Sequence, residues 1–148
     1  MISVRAASSR DAEAWTQMRC ALWPNENAEA LRAEVEQYFR ASVPHLLHVL
    51  IAFSDEAPVG FAELNIRQYA EGCSSSNVAF LEGWFVEPGA RRLGVGRALV
   101  AAAESWFRAQ GCSEFASDAL ADNALGVAAH RGLGFTQVET IRCFRKDL

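Results

Sequence analysis

The chain has 148 residues, 51% hydrophobic and 22% charged, with a formal net charge of −4. That length and composition suit one ordinary globular domain, residues 1–148, with a core of its own. With one lysine, Lys146, and an acidic balance, the chain lacks the clustered cations that a nucleic-acid partner demands, and no apolar run of about 18 residues offers a membrane span.

Ile2 to Arg5 alternates like an edge strand. Ser8-Ser9-Arg10-Asp11 resembles a capping box. It opens a helix whose apolar stripe carries Ala12, Trp15, Met18 and Leu22, and which Pro24 ends. A second helix is expected over residues 28–41, burying Leu31, Val35 and Tyr38 or Phe39. Residues 45–53 and 58–66 read as strands around the turn Ser54-Asp55-Glu56-Ala57. The polar stretch 68–77, with Gly72 and three serines, reads as a loop. Residues 78–86 form the central strand and 93–108 a helix that buries Leu99, Val100, Ala103, Trp106 and Phe107 before Gly111. A short strand over 114–117, a helix over 122–131 and a final strand over 135–144 complete the order β-α-α-β-β-β-α-β-α-β, an α/β arrangement. The start, Met1-Ile2-Ser3-Val4-Arg5, lacks the long apolar stretch of a signal peptide. The cysteines Cys20, Cys73, Cys112 and Cys143 are too scattered for a metal pair or a disulfide frame, which points to a reducing cytoplasm. His45 and His48 have no acidic or cysteine cluster beside them, so no metal site is expected.

The junction between the central strand and its helix carries the strongest functional signal: Val86-Glu87-Pro88-Gly89-Ala90-Arg91-Arg92-Leu93-Gly94-Val95-Gly96-Arg97. Glycines at the mouth of a helix leave backbone amides uncovered, and the helix N-terminus carries positive partial charge, so the arginine-flanked Arg-x-x-Gly-x-Gly run makes a seat for a pyrophosphate. The Walker run is absent, and Leu99 stands where a dinucleotide fingerprint needs its third glycine. Glu82 is the second signal. It lies in the apolar run Phe80-Leu81-Glu82-Gly83-Trp84-Phe85-Val86, where an ionised carboxylate costs several kcal/mol unless paired or functional. Strand alternation places it with Phe80 and Trp84 on one face. Two readings stand for it: an ion pair with Arg67 or another arginine, or a functional base. Gly83 beside it marks a bulge or a close ligand approach.

These residues resemble the acetyl-CoA site of the GNAT family of N-acetyltransferases. Asn123 before the last helix and the ending Ala128-Ala129-His130-Arg131-Gly132-Leu133-Gly134-Phe135 extend the likeness over nearly the whole chain. The resemblance implies a mixed central sheet with flanking helices and a splayed central strand pair, and acetyl-CoA as co-substrate with no metal. Arg91, Arg92, Leu93, Gly94, Val95, Gly96, Arg97 and Asn123 would hold the coenzyme. Backbone amides of Trp84, Phe85 and Val86 would hold its pantetheine arm and polarise the thioester carbonyl. Glu82 would take the substrate's proton, and His130, where many members carry a tyrosine, would act as acid toward the departing thiolate or simply pack.

Trp23-Pro24, Ile66-Arg67-x-Tyr69, Gly72-Cys73-x-Ser75-Ser76, Phe80-Leu81-Glu82-Gly83, Ala116-Ser117-Asp118 and Gly134-Phe135-x-x-Val138-Glu139 are similar, more narrowly, to the aminoglycoside 6′-N-acetyltransferases. The likeness implies antibiotic-resistance chemistry by direct transfer in a ternary complex. Glu82, Asp118 and Glu139 would bind the polycationic drug, and Trp23 and Tyr69 would line its pocket. Ala70-Glu71-Gly72 and Asn77 depart from that group's usual loop. A homodimer is also implied, with Val138, Ile141, Cys143 and Phe144 available for a shared strand. Another small polycationic amine as substrate, or a non-catalytic acyl-CoA sensor, remain the alternative readings.

Overall fold

The computed structural model describes residues 1–148. A five-stranded mixed sheet runs in the order β1 (Ile2–Ala6), β2 (His48–Ser54), β3 (Ala57–Arg67), β4 (Val78–Val86) and β5 (Phe115–Ser117). The first four strands are antiparallel and β5 is parallel to β4. Helices α1 (Ala12–Leu22) and α2 (Ala28–Arg40) cover one face and α3 (Val95–Ala109) the other, while α4 (Ala124–Gly132) follows β5.

The apolar patterns sort into these layers. Trp15, Met18 and Val35 meet Ile51, Phe61 and Phe85 on the α1/α2 face. Leu99, Ala103 and Phe107 meet Leu50, Leu64 and Leu81 on the α3 face. Local chemistry sets the ends. The Ser8 amide and hydroxyl both donate to Asp11, at 2.7 and 2.9 Å, which closes a 3-10 turn ahead of α1. The β2–β3 turn puts Asp55 and Glu56 at φ 47° and 72°, the left-handed region that short hairpin turns require. Gly111, at φ +85°, follows α3 as its left-handed exit.

Two expectations need correction. No strand forms over residues 135–144. A strand needs a partner edge, and β5 offers only three paired residues to β4 with nothing beyond it in this chain. The segment instead crosses the 68–77 loop, where Val138 packs on Gly72. Nor does Glu82 share a face with Trp84. The register steps from Glu63↔Gly83 to Leu64↔Leu81, leaving Glu82 as the extra residue of a β-bulge. The bulge resets the alternation, so Trp84 joins Leu81 on the α3 side.

Candidate active site

Glu82 looks into a cleft of about 380 Å³ between α1, α2 and the β3–β4 pair, walled also by Trp23, Glu26, Asn27, Glu34, His45 and Glu63. Its carboxylate is held hard: Arg67 donates through Nε to Oε1 at 2.8 Å and through Nη2 to Oε2 at 2.7 Å, and Asn65 Nδ2 donates to Oε1 at 3.0 Å. The arginine pairing and the cleft-facing position therefore coexist. Arg67 lies 3.5 Å over the Phe80 ring, and its guanidinium is raised above the ordinary value by the Glu82 bond and, less, by the charge of Asp118. Asp118 is exposed near that pair. Tyr69 is 66% exposed and donates to Glu71 at 3.0 Å; its phenol is raised by that bond first and by the charge of Glu139 last. The drug-binding set expected from sequence thus splits: Trp23 and Glu82 share the cleft, while Tyr69, Asp118 and Glu139 are outside its lining, with Glu139 near enough for its charge to act on the Tyr69 phenol.

Sequence reading missed most of the acidic wall. Glu63, only 2% exposed, accepts from Trp15 Nε1 at 2.9 Å and Arg19 Nε at 2.7 Å. Burial pushes its carboxyl up, and Arg19 opposes that. Arg19 Nη2 also donates to Glu34 at 2.7 Å. Glu26, Glu34, Glu63 and Glu82 line the same cleft; Arg19 pairs with Glu34 and Glu63, Arg67 pairs with Glu82, and Arg19 is the one arginine in the lining itself. The available signal was Glu63 in the apolar strand Gly60-Phe61-Ala62-Glu63-Leu64, the same anomaly that singled out Glu82. Gly83 serves this wall, since a Cβ there would meet Trp23 at 3.0 Å and Glu63 Oε2 at 3.1 Å.

The other half of the site is the start of α3. Gly94, the N-cap, sits at φ 89° with no side-chain cap. None of the amides of Arg92, Leu93, Gly94, Val95, Gly96 and Arg97 donates to an acceptor in the chain. Arg92 adopts φ 65° and is exposed, as are Arg91 and Arg97. Uncapped amides, the helix dipole and three guanidinium groups fit a pyrophosphate. The two glycines differ in kind. A Cβ on Gly94 would meet nothing, so its conformation is what matters, whereas one on Gly96 would meet Trp84 at 2.9 Å.

Between the two halves β4 and β5 part. Their pairing ends at Leu81↔Ser117 while β4 runs on to Val86. The Glu87 amide donates to Val59 on β3, so strand alternation turns Phe85 toward β3 as well, and Trp84 and Val86 toward the vacated side. Arg91 Nε donates to the Val86 carbonyl at 3.0 Å on that open edge. Of the amides expected there, those of Trp84 and Val86 face the opening. The Trp84 indole N–H is the one buried side-chain polar atom without a partner, and its ring meets His130 edge-on at 5.6 Å. His130 is pinned at both nitrogens, Nδ1 2.6 Å from the Gly126 carbonyl and Nε2 2.8 Å from Ser117 Oγ. Asn123 caps α4, its Oδ1 accepting from the Gly126 amide at 3.0 Å.

A mixed sheet opened beside an uncapped, arginine-flanked helix start defines an acyl-coenzyme A transferase fold, and the chain belongs to the acetyltransferase (GNAT) family, whose pattern matches residues 12–135. It is 50% identical over 146 residues to the aminoglycoside N(6′)-acetyltransferase type 1 of Klebsiella aerogenes, covering 98% of this chain and 96% of that one. It is 41% identical over 147 residues to the enzyme of the same name from Stenotrophomonas maltophilia, covering 99% and 94%. Among solved structures, AAC(6′)-Iy in complex with the bisubstrate analog CoA-S-monomethyl-acetylneamine superposes with a TM-score of 0.91 at 37% identity, covering 100% of this chain and 99% of that one.

Proposed function

We propose that this chain transfers the acetyl group of acetyl-CoA to the 6′-amine of aminoglycoside antibiotics, by direct attack in a ternary complex, and so confers resistance. One observation carries the reading: the same bulged stretch of β4 presents Glu82 to an acidic cleft on one face and Trp84 to the uncapped, arginine-flanked start of α3 on the other. A polyanionic donor and a polycationic acceptor need such opposed seats to meet. The names of the full-length relatives agree with it.

The amides and arginines at the start of α3 hold the coenzyme's pyrophosphate, with Asn123 Nδ2 left free for a further contact. Acetyl-CoA supplies an activated acetyl thioester. The Trp84 and Val86 amides lie on the open edge, where a carbonyl oxygen gaining charge is stabilised. The aminoglycoside's ammonium groups bind the cleft carboxylates and, outside the cleft lining, Asp118 and Glu139, with Trp23 and Tyr69 against the sugar rings. The reacting ammonium must lose a proton before it attacks, and Glu82 takes it through water. The thiolate is already a good leaving group at a thiol pKa of about 8.5, so its departure needs no dedicated acid, and of the two readings of His130 the packed one is kept for this reaction. The four free cysteines suit a reducing cytoplasm.

The purified chain is expected to acetylate kanamycin with acetyl-CoA and to leave spermine and a lysine-bearing peptide untouched; acetylation of spermine or the peptide in preference to kanamycin would replace this substrate assignment. The chain is further proposed to be a homodimer. Val138 (59% exposed), Ile141 (56%) and Phe144 (92%) stand in a C-terminal segment with no partner strand. Light scattering at micromolar concentration is expected to give twice the chain mass, and a chain-mass value refutes it.

A further inference from the structure

Ser117, His130 and the Gly126 carbonyl form an acyl-transfer constellation that the transfer to an amine does not require. A carbonyl can only accept, so the 2.6 Å contact fixes the hydrogen of neutral His130 on Nδ1. Nε2 is then an acceptor, and the group facing it at 2.8 Å is the Ser117 hydroxyl. The hydroxyl's other acceptor, the Leu81 carbonyl, is 3.5 Å away, so its proton goes to the imidazole. A nucleophile within hydrogen-bond reach of a base that a third group orients is the arrangement that activates serine. Trp84 and Phe135 hold the ring edge-on at 5.6 and 5.3 Å, so it does not swing away. Ser117 itself is the last residue of β5 paired to β4, at the vertex of the opening, with the Trp84 amide further along the same edge.

We propose that Ser117 is a second acetyl acceptor, which makes the protein a slow acetyl-CoA hydrolase when no amine occupies the cleft. The inference rests on the acetyl-CoA reading above. Ser117 Oγ attacks the thioester carbon as its proton passes to His130 Nε2. The carbon–sulfur bond breaks, the imidazolium returns that proton to sulfur, and coenzyme A leaves as the thiol. Water then attacks the serine ester with His130 again as base, and acetate departs with Ser117 regenerated. With an amine in place, direct attack outruns this route, which becomes the leak that bound substrate suppresses.

The test incubates the full chain with labelled acetyl-CoA alone, reads acetate release, and searches an acid-quenched sample by peptide mass spectrometry for one acetyl group on Ser117. Acetate release well above the buffer rate is expected, with the acetyl group on the peptide holding Ser117. Ser117→Ala should lower release by roughly 100-fold, the scale of a lost nucleophile–base pair. It should keep the rise in melting temperature that acetyl-CoA produces, which separates loss of chemistry from loss of the coenzyme seat. Ser117→Cys is expected to trap the acetyl group as a thioester at the same position. Kanamycin acetylation by the unaltered chain with no acetate release above buffer, or release by Ser117→Ala equal to that of the unaltered chain, overturns the proposal and leaves the transferase reading standing. Failure to acetylate kanamycin as well overturns that reading and the proposal with it.

Discussion

Glu82 has both features that sequence reasoning sets against each other, an arginine partner and a place in the cleft. Arg67 and Asn65 occupy both lone pairs of Oε1 but one position of Oε2, so the anion is fixed in direction and still has room to accept. Glu82→Gln is expected to lower kcat about 100-fold or more with kanamycin, the range of a lost general base, while the acetyl-CoA KM changes little. A large drop in melting temperature with an ordinary kcat would assign Glu82 to structure alone. Asp11 makes the opposite case, a carboxylate engaged only in holding the fold. Arg5 beside it, together with the Ser8 amide and hydroxyl, holds its pKa down at about 2 from 3.8. A depressed carboxylate stabilises the fold above its unfolded pKa and loses that contribution as pH falls through the folded one. Asp11→Asn should therefore cost about 2 kcal/mol at neutral pH, with the gap to the unaltered chain closing between about pH 4 and pH 2. Parallel denaturation curves across that window would contradict the assignment.

At the scale of elements, the bulge in β4 and the start of α3 are coupled through one contact. The bulge turns Trp84 toward α3, and Gly96 leaves room for its ring. Gly96 therefore has a packing role beside its uncovered amide, and replacing it does not leave the fold untouched. Gly96→Ala is expected to cost about 1–3 kcal/mol through overpacking and to weaken acetyl-CoA binding. Trp84→Phe, which removes the offending ring edge, should recover part of the stability, giving a coupling energy of at least about 0.5 kcal/mol in a double-mutant cycle. Strictly additive losses in thermal denaturation would show that the two residues do not press on each other. The β4 edge teaches the same lesson about amides. Of three consecutive residues only alternate ones face the opening, so Phe85 is spent on β3 while Trp84 and Val86 remain.

For the whole molecule, the sheet separates two electrostatic seats. Glu26, Glu34, Glu63 and Glu82 gather on the α1/α2 side, and Arg91, Arg92 and Arg97 gather at the start of α3. Salt screens both within about 8 Å at physiological ionic strength. The kanamycin KM is expected to rise with added salt, and Glu26→Gln and Glu34→Gln should each raise it by more than Glu139→Gln does, because they wall the cleft and Glu139 is not in its lining. Steady-state kinetics in which none of the three changes the drug KM would remove the aminoglycoside from this cleft.

The sequence by itself determined the α/β class, the central strand at residues 78–86, the glycine-bearing, arginine-flanked start of α3 and the anomaly of Glu82, because each rests on local chemistry: alternation, uncovered glycine amides, one charge in an apolar run. It also carried the family, since the same spacings recur along nearly the whole chain. It left three things to the tertiary structure. The face of Trp84 depended on a bulge, which is a mismatch between two strands and not a property of either. The acidic wall joined Glu26 and Glu34 from the α1–α2 region to Glu63 on β3, residues up to 56 positions from Glu82 that no spacing rule connects. The fate of residues 135–144 depended on a partner edge, and an alternating segment becomes a strand only where another backbone meets its hydrogen bonds.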